Sequence, residues 1–292
     1  MKVLSVREPF ASLIAQGLKK YETRSYNTKY RGEIYIHVSL NKSNLNDNNL
    51  QFIKQSAFGC IICRAKLVDS IYITEDFISD LKKNNYNEYL YGDYSVGRYA
   101  WVLEDVQSVT PIALKGELGL WNYYTMDEVM DKMKNVTYGY VDKLGYKYNS
   151  FEDFDKKYRL QSYKQLLKSE VGVCFDQVEL ERFYFKNYCI KTYFIEGIKN
   201  EQLQTHTFIA ISFQNKYYWF EHAWEKHRGI YEFFCENEML LNVIKLFKEE
   251  YDLFANDDLN VFEYKKPEAG MTLNDYFKWV HLGKTVKIKE RK

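Results

Sequence analysis

Leu4-Ser5-Val6-Arg7-Glu8-Pro9-Phe10-Ala11, followed by Gly17-Leu18-Lys19-Lys20-Tyr21-Glu22-Thr23-Arg24, is the stretch on which the reading of this chain turns. Met1 to Val6 reads as a short strand. Pro9 then opens a helix, where its missing N–H costs nothing, and Phe10, Leu13, Ile14 and Leu18 recur at helical spacing. Working outward, residues 33–38, 59–68, 99–105 and 111–116 are strand-like, which makes a mostly-β unit ending near Trp121-Asn122. From Thr125 the pattern changes. Thr125-x-x-Glu128 and Ser162-x-x-Gln165 are capping boxes ahead of helical runs. A helix is expected from about Cys174 to Phe185, strands at 188–195, 205–213 and 217–222, and a helix from about Glu238 to Tyr251. Helices followed by strands give an α+β class. The expected division is 1–122, a connecting segment 123–150, and 151–292, with helix 125–134 assignable to either side.

Bulk properties narrow the function classes. A chain of 292 residues with 46% hydrophobic residues has core enough for two domains. Net charge is +1, so nucleic-acid binding has to come from a local patch. Residues 1–31 hold such a patch: seven Lys/Arg against two Glu. Residues 284–292 carry five basic groups against one Glu, which reads as a solvated tail. The 27 tyrosines fit a compositional bias before a stacking surface. Arg7, Glu8 and Lys19 interrupt any secretory leader, and no run approaches the ~20 apolar residues that span a bilayer. Five irregularly spaced cysteines suit a reducing compartment, so a cytoplasmic location with no membrane association is expected. No metal-ligand spacing and no phosphate-binding glycine loop occurs, so neither a metal nor another cofactor is expected. Cys60-x-x-Cys63 lies in a strand, where residues three apart face opposite sides, and is read as packing.

The opening motifs, with Tyr30-Arg31-Gly32, Ile36-His37-Val38-Ser39, Trp101-Val102-Leu103-Glu104 and Leu120-Trp121-Asn122, resemble the ASCH domain family over residues 1–122. The resemblance implies a PUA-like β-barrel that recognises RNA, other single-stranded nucleic acid or a nucleotide. It places Arg7, Lys19, Glu22 and Arg24 at a cleft, with Phe10 or Tyr26 positioned to stack and Ser5 and His37 nearby. Arg and Lys can hold phosphates or base acceptor edges, and Glu22 can accept from an exocyclic amine. Some members hydrolyse acetylated cytidine with a Lys–Thr pair and a Glu. Here Lys19 holds the lysine position, but Glu22 stands where the threonine would be.

A second constellation lies in 170–235. Gly172-Val173-Cys174-Phe175-Asp176 puts a cysteine at a helix start, where backbone N–H groups favour a thiolate. Thr205-His206-Thr207 offers an imidazole on a strand, and Tyr217-Tyr218-Trp219-Phe220-Glu221-His222 a carboxylate on the next. If the hairpin loop is centred between Gln214 and Asn215, residue 208 faces 221 and His206 is a same-face diagonal neighbour of Glu221. The order resembles the transglutaminase-like superfamily, related to papain-like proteases. That resemblance implies Cys174 as nucleophile, His206 as base and Glu221 as orienting acid, with Gln165 a candidate oxyanion donor. Asp176, Glu179 and Glu181 read as acids favoured by the helix dipole. Two functions from different classes follow. One is a Cys-His-Glu hydrolase or acyltransferase acting on a protein or other amide, with the ASCH unit supplying a nucleic-acid or nucleotide-linked substrate. The other is a non-catalytic binding protein in which Cys174 is inert.

Overall fold

Alternate residues Ile61, Cys63, Ala65 and Leu67 are buried along one strand, the period-two signature of a sheet face packed on a core. In the computed structural model, which describes residues 1–45, 50–53, 57–253 and 259–287, that strand is β4 (Cys60–Tyr72) of a first unit spanning Met1–Tyr123. The unit also contains β1 (Lys2–Val6), α1 (Phe10–Ala15), β2 (Tyr21–Arg24), β3 (Gly32–Val38), α2 (Glu75–Asn84), α3 (Tyr86–Leu90), β5 (Tyr99–Ala113) and β6 (Leu120–Asn122). Its strands run in the order β2-β5-β4-β3-β1-β6. The β1–β3 pair is parallel, with Leu4 opposite Ile36, and the other pairs are antiparallel. Leu4, Val6, Ile34, Ile36, Val38 and Trp101 meet α1 in the core.

Two expectations for this unit are corrected. The closed barrel is instead a curled open sheet: β2 and β6 end it, and no ladder joins them among the described residues. With β2 only four residues long and pairing only with β5, a side chain spans the gap: Arg24 Nη2 donates to the Ser5 carbonyl at 2.9 Å. The strands expected at 99–105 and 111–116 are one 15-residue strand. Ile61 pairs with Ile112 and Cys63 with Ser108, so residues 109–111 bulge opposite Ile62 and accommodate Pro111, which has no N–H for a ladder. Cys63 lies in the core, where burial pushes its thiol up to about 12.

The second unit, Tyr124–Lys292, takes in the segment 123–150 that was expected to be a connector, apart from Tyr123. α4 (Met126–Met133), β7 (Tyr140–Val141) and β8 (Lys147–Tyr148) fold there because Met126, Val129, Met133 and Tyr140 are apolar and buried. They are followed by α5 (Phe154–Lys157), α6 (Tyr163–Ser169), α7 (Cys174–Tyr184), β9 (Cys189–Lys199), β10 (Gln202–Phe213), β11 (Lys216–Glu221), β12 (Gly229–Phe233), α8 (Glu236–Glu250), β13 (Leu259–Glu263), α9 (Leu273–His281) and β14 (Lys284–Thr285). Both capping boxes form: Thr125 N donates to Glu128 Oε2 at 2.8 Å, and Ser162 N to Gln165 Oε1 at 2.8 Å. The sheet, ordered β12-β11-β10-β9-β13-β14, is antiparallel throughout. Along β9, Tyr193 and Ile195 join a cluster with Met239, Val243 and Phe247 of α8, while Phe194 joins one with Phe175 and Tyr276. β10 and β11 are connected by Gln214-Asn215 alone, both with positive φ (50° and 62°), the pairing that primed hairpin turns require. Of the basic tail at 284–292, residues 288–292 lie outside the described residues.

His37 is a core histidine. It is 1% exposed, with Nε2 3.1 Å from the Leu114 carbonyl and Nδ1 3.4 Å from Ser5 Oγ. Burial lowers its pKa, against the raising effect of the backbone carbonyl bonds. A Cβ on Gly116 would stand 2.4 Å from its Cε1 and 2.7 Å from its Nδ1. Held from both sides, the ring has no room to yield. Gly116→Ala should therefore cost about 1–3 kcal/mol, the usual range for overpacking, read as a lowered midpoint of thermal unfolding. An unchanged midpoint would mean that the ring is free to move.

Candidate functional site

Two clusters of chemistry-bearing side chains stand out, one in each unit. The first is a cleft of about 620 Å³ lined by Arg7, Phe10, Lys19, Glu22, Arg24 and Tyr26. All six residues singled out in the sequence therefore meet around one cavity, and Ser5 lies on its wall. Arg98, which the sequence analysis did not identify, joins them because β5 pairs with β2 and brings it beside Thr23. Four cations against Glu22 and Asp93 leave the lining net positive, which suits an anionic ligand.

Lys19 is buried at the floor, 1% exposed, with its Nζ 3.7 Å from Glu88 Oε1. The ammonium also sits 5.4 Å from the Tyr94 ring and 5.6 Å from the Phe10 ring, so Phe10 serves a cation–π contact. Burial pulls the lysine below its ordinary pKa, against the raising fields of Glu22 and Glu88. Glu88, itself fully buried, accepts from Lys20 N at 2.7 Å, Tyr21 N at 3.3 Å and Tyr94 Oη at 2.6 Å. It anchors the start of β2 and fixes the charge opposite Lys19. Arg24 and Glu22 form an ion pair at 3.0 Å. Glu8 does not pair with Arg7. It turns inward to accept from Ser12 N at 3.0 Å and Ser12 Oγ at 2.7 Å, leaving Arg7 exposed at the rim. Tyr26 is 43% exposed and touches Trp101 edge-on, so a ring face remains open to stacking.

The second cluster is built on α7 and the β10–β11 hairpin. Ile209 pairs with Phe220 and Phe213 with Lys216, which is the register of a loop centred between Gln214 and Asn215. His206 and Glu221 thereby meet, with Nε2 to Oε2 at 2.7 Å. The carboxylate is fully engaged: Oε2 also accepts from Trp219 Nε1 at 3.2 Å, and Oε1 from Trp224 N at 2.7 Å. The imidazole lies within hydrogen-bonding reach of the Cys174 thiol at the first residue of α7, and Trp224 covers it with ring centroids 5.2 Å apart. Burial alone would lower the His206 pKa, but the Glu221 charge and the hydrogen bonds to Cys174 and Glu221 raise it to about 10. The imidazole is therefore protonated at neutral pH beside a thiol, an arrangement suited to a thiolate–imidazolium pair.

Several neighbours were not legible in the sequence. Tyr138, from the supposed connector, is about half exposed in its ring, while its hydroxyl lies against both the thiol and the backbone N–H of Cys174. The neighbouring Cys174 side chain, followed by burial, holds that hydroxyl above the ordinary tyrosine pKa, so it stays a donor. Gln165, considered as the oxyanion donor, is exposed and occupied in the α6 capping box. Asp176 is not simply a dipole-favoured acid. It is fully buried and accepts from Gln161 N at 2.8 Å, Tyr158 Oη at 3.0 Å and Val173 N at 3.1 Å, and burial raises it to about 7. Glu179 and Glu181 are likewise buried. Glu179 pairs with Arg182 at 3.0 Å, and Glu181 is held well above the carboxylate range by burial and then by the Glu221 charge. His222 packs beneath the site, where burial and then Arg228 lower it to about 4. Its Nδ1–H donates to Gln177 Oε1 at 2.7 Å, and Gln177 Nε2 donates to the Gly172 carbonyl at 2.8 Å, pinning the loop that leads into Cys174. Among the described residues, no group of three or more His, Cys, Asp or Glu is placed to hold a metal, and no helix is long and apolar enough to cross a membrane.

The first unit is thus a curled sheet with a net-positive cleft. More specifically, residues 4–113 match the model of the ASCH domain, and an ASCH domain is present there. Among solved structures, the chain is similar to an ASCH protein of Zymomonas mobilis, at 19% identity over 47% of this chain and 80% of that one, with a TM-score of 0.27. A tyrosine-to-phenylalanine variant of the Z. mobilis protein matches at 18% identity over 47% and 83%, with a TM-score of 0.28. A serine-to-alanine variant matches at 18% over 46% and 94%, with a TM-score of 0.30. At these scores the likenesses carry no argument about this chain. No curated protein matches it.

The raised pKa of His206 fixes the sign of a pH dependence. A histidine lifted from 6.5 to about 10 binds its proton more tightly in the folded state. Its contribution to stability is therefore complete below pH 6.5 and is lost as pH rises through about 10. The difference in unfolding midpoint between the wild-type chain and His206→Gln should shrink steadily from pH 7 to pH 10. A constant difference would mean that the imidazole is not held as a cation.

Proposed function

We propose that this chain is a cysteine-dependent acyl-transfer enzyme whose ASCH domain recognises RNA or a nucleotide-linked substrate. One observation carries the catalytic half: an imidazole bonded at 2.7 Å to a buried carboxylate, beside a thiol at a helix N-terminus. In this reading Cys174 attacks an amide carbonyl, and the C–N bond breaks as the His206 imidazolium gives its proton to the departing amine. The resulting thioester is resolved by water or by an acceptor amine, with His206 taking the proton back. Glu221 holds the ring in position without forming bonds to substrate. The Cys174 N–H is the natural donor to the developing oxyanion, and the Tyr138 hydroxyl, now occupying that place, either yields it or joins in donation.

The burial of Cys174, 2% exposed, favours a second reading in which both units bind ligands and the thiol is inert. Alkylation separates the two. Cys189 is exposed and Cys174 is covered, so steric access alone would make Cys189 the faster. A nucleophile activated by His206 reverses that order. Iodoacetamide at neutral pH should modify Cys174 about tenfold or more faster than Cys189, and His206→Ala should remove the advantage. Equal rates in wild type and His206→Ala would leave the binding-protein reading standing.

The ASCH half is carried by the convergence of Arg7, Lys19, Arg24 and Arg98 on one cleft. The full chain should bind single-stranded RNA with an affinity that falls with salt at a log–log slope of about −0.7 per phosphate contacted. Charge reversal at Lys19 or Arg24 also disturbs buried contacts, so exposed Arg7→Glu is the cleaner variant. It should weaken binding and flatten the salt slope by about one contact. Salt-independent binding, or none to RNA or a nucleotide, would remove the cleft from consideration.

A further inference from the structure

The second unit has another cavity, of about 660 Å³, that neither the thiol site nor the ASCH cleft uses. Its lining contains four cations: Lys143, Lys147, Arg159 and Lys168. They come from separate pieces of chain, since Lys143 and Lys147 belong to the β7–β8 hairpin, Arg159 follows α5, and Lys168 lies in α6. None of the four is in an ion pair among the described residues. The one carboxylate on the wall among the described residues, Asp142, offsets at most one of the four charges. It accepts from Leu144 N at 2.8 Å, Tyr146 N at 3.0 Å and Tyr148 Oη at 3.2 Å, all within its own hairpin.

Four cations against one carboxylate leave an excess of like charge, whose repulsion costs free energy until an anion arrives. Arg159 is already oriented: its Nη1 donates to the carbonyls of Lys156 at 3.0 Å and Tyr158 at 2.6 Å, which fixes the guanidinium plane. A preformed fork of this kind suits a tetrahedral oxyanion better than a freely moving lysine does. The volume exceeds what one phosphate fills and falls within the roughly 300–1,000 Å³ typical of small-ligand sites. Among the described residues no aromatic side chain lines the cavity, so they offer no platform on which a base would stack. Recognition by charge without stacking favours a ligand read through its phosphates.

We propose that this cavity binds a small molecule carrying two or more linked phosphates, whether a free polyphosphate or the phosphate tail of a nucleotide. The wall also connects to the thiol site. Gln161 N donates to Asp176 Oδ1, and Asp176 Oδ2 caps Val173, the residue before Cys174. A ligand seated here would border Gln161, whose backbone N–H holds the carboxylate at the start of α7.

The test is calorimetric titration of the full chain with sodium tripolyphosphate, then with a nucleoside triphosphate and the matching monophosphate. Tripolyphosphate should bind, and the doubly substituted Lys143→Glu/Lys168→Glu chain should bind it at least about tenfold more weakly, equivalent to about 1.4 kcal/mol. Both lysines are exposed, so an unchanged unfolding midpoint will verify that the variant is folded. Lys147→Glu gives an independent second variant. Tripolyphosphate and the triphosphate binding alike, with the monophosphate much weaker, assigns recognition to the linked phosphates. A monophosphate as tight as the triphosphate would overturn that assignment. So would the absence of tripolyphosphate binding. Binding that is lost in Arg7→Glu or on removal of residues 288–292, but kept in both lysine variants, would place the anion elsewhere and overturn the site.

Discussion

The 2.7 Å bond between His206 and Glu221 is the constraint to which the second unit answers. Both groups are buried, and a buried charge is tolerated only when its partner and its remaining hydrogen bonds are all supplied. The neighbours meet that demand one by one. Trp219 and the Trp224 backbone occupy the remaining acceptor positions of Glu221, and Trp224 closes over the imidazole. Burial and then the Glu221 charge raise the neighbouring Glu181 well above the carboxylate range, which disfavours a second buried anion. The helix that carries Cys174 is fastened independently, through Asp176 on one side and the Gln177–His222 pair on the other.

The ASCH unit solves the same problem with the same sign. Lys19 is an ammonium with almost no access to water, and Glu88 faces it at 3.7 Å while itself held by two backbone N–H groups and a tyrosine hydroxyl. In both units a basic group at the site is held by a buried carboxylate behind it. The supporting acid is fixed chiefly by local or backbone donors, and so is insulated from whatever occupies the cleft.

What the sequence made legible follows from how far apart the deciding residues lie. The capping boxes depend on residues three positions apart and were read from spacing alone, while the hairpin register was read only on the condition of where its loop is centred. The convergence of Arg7, Lys19, Glu22 and Arg24 was legible through motif resemblance, because β1, α1 and β2 follow each other closely. Glu88, Arg98 and Tyr138 were not legible. They reach their sites across long loops or through strand pairing, and no local pattern marks them. The connector was misread because its apolar residues fall in short runs; Tyr140, for one, joins a core with Tyr158, Val173 and Phe175 from later in the chain. The expected barrel failed for a related reason: closure depends on whether two edge strands meet, which no single strand's composition encodes.

The turn Gln214-Asn215 has a further consequence, for how this hairpin can change over generations. It joins β10 to β11 with two residues, both in a backbone region that side chains usually avoid. Substitutions there trade one modest strain for another, and glycine would relieve it. A length change is different in kind. One added or lost residue would slide β11 by one position and turn Glu221 to the opposite face of the sheet, out of reach of His206, unless a bulge absorbed it. The composition of the loop is therefore free to drift while its residue count is not. Lineages that keep the chemistry should vary at these two positions without insertions or deletions between them.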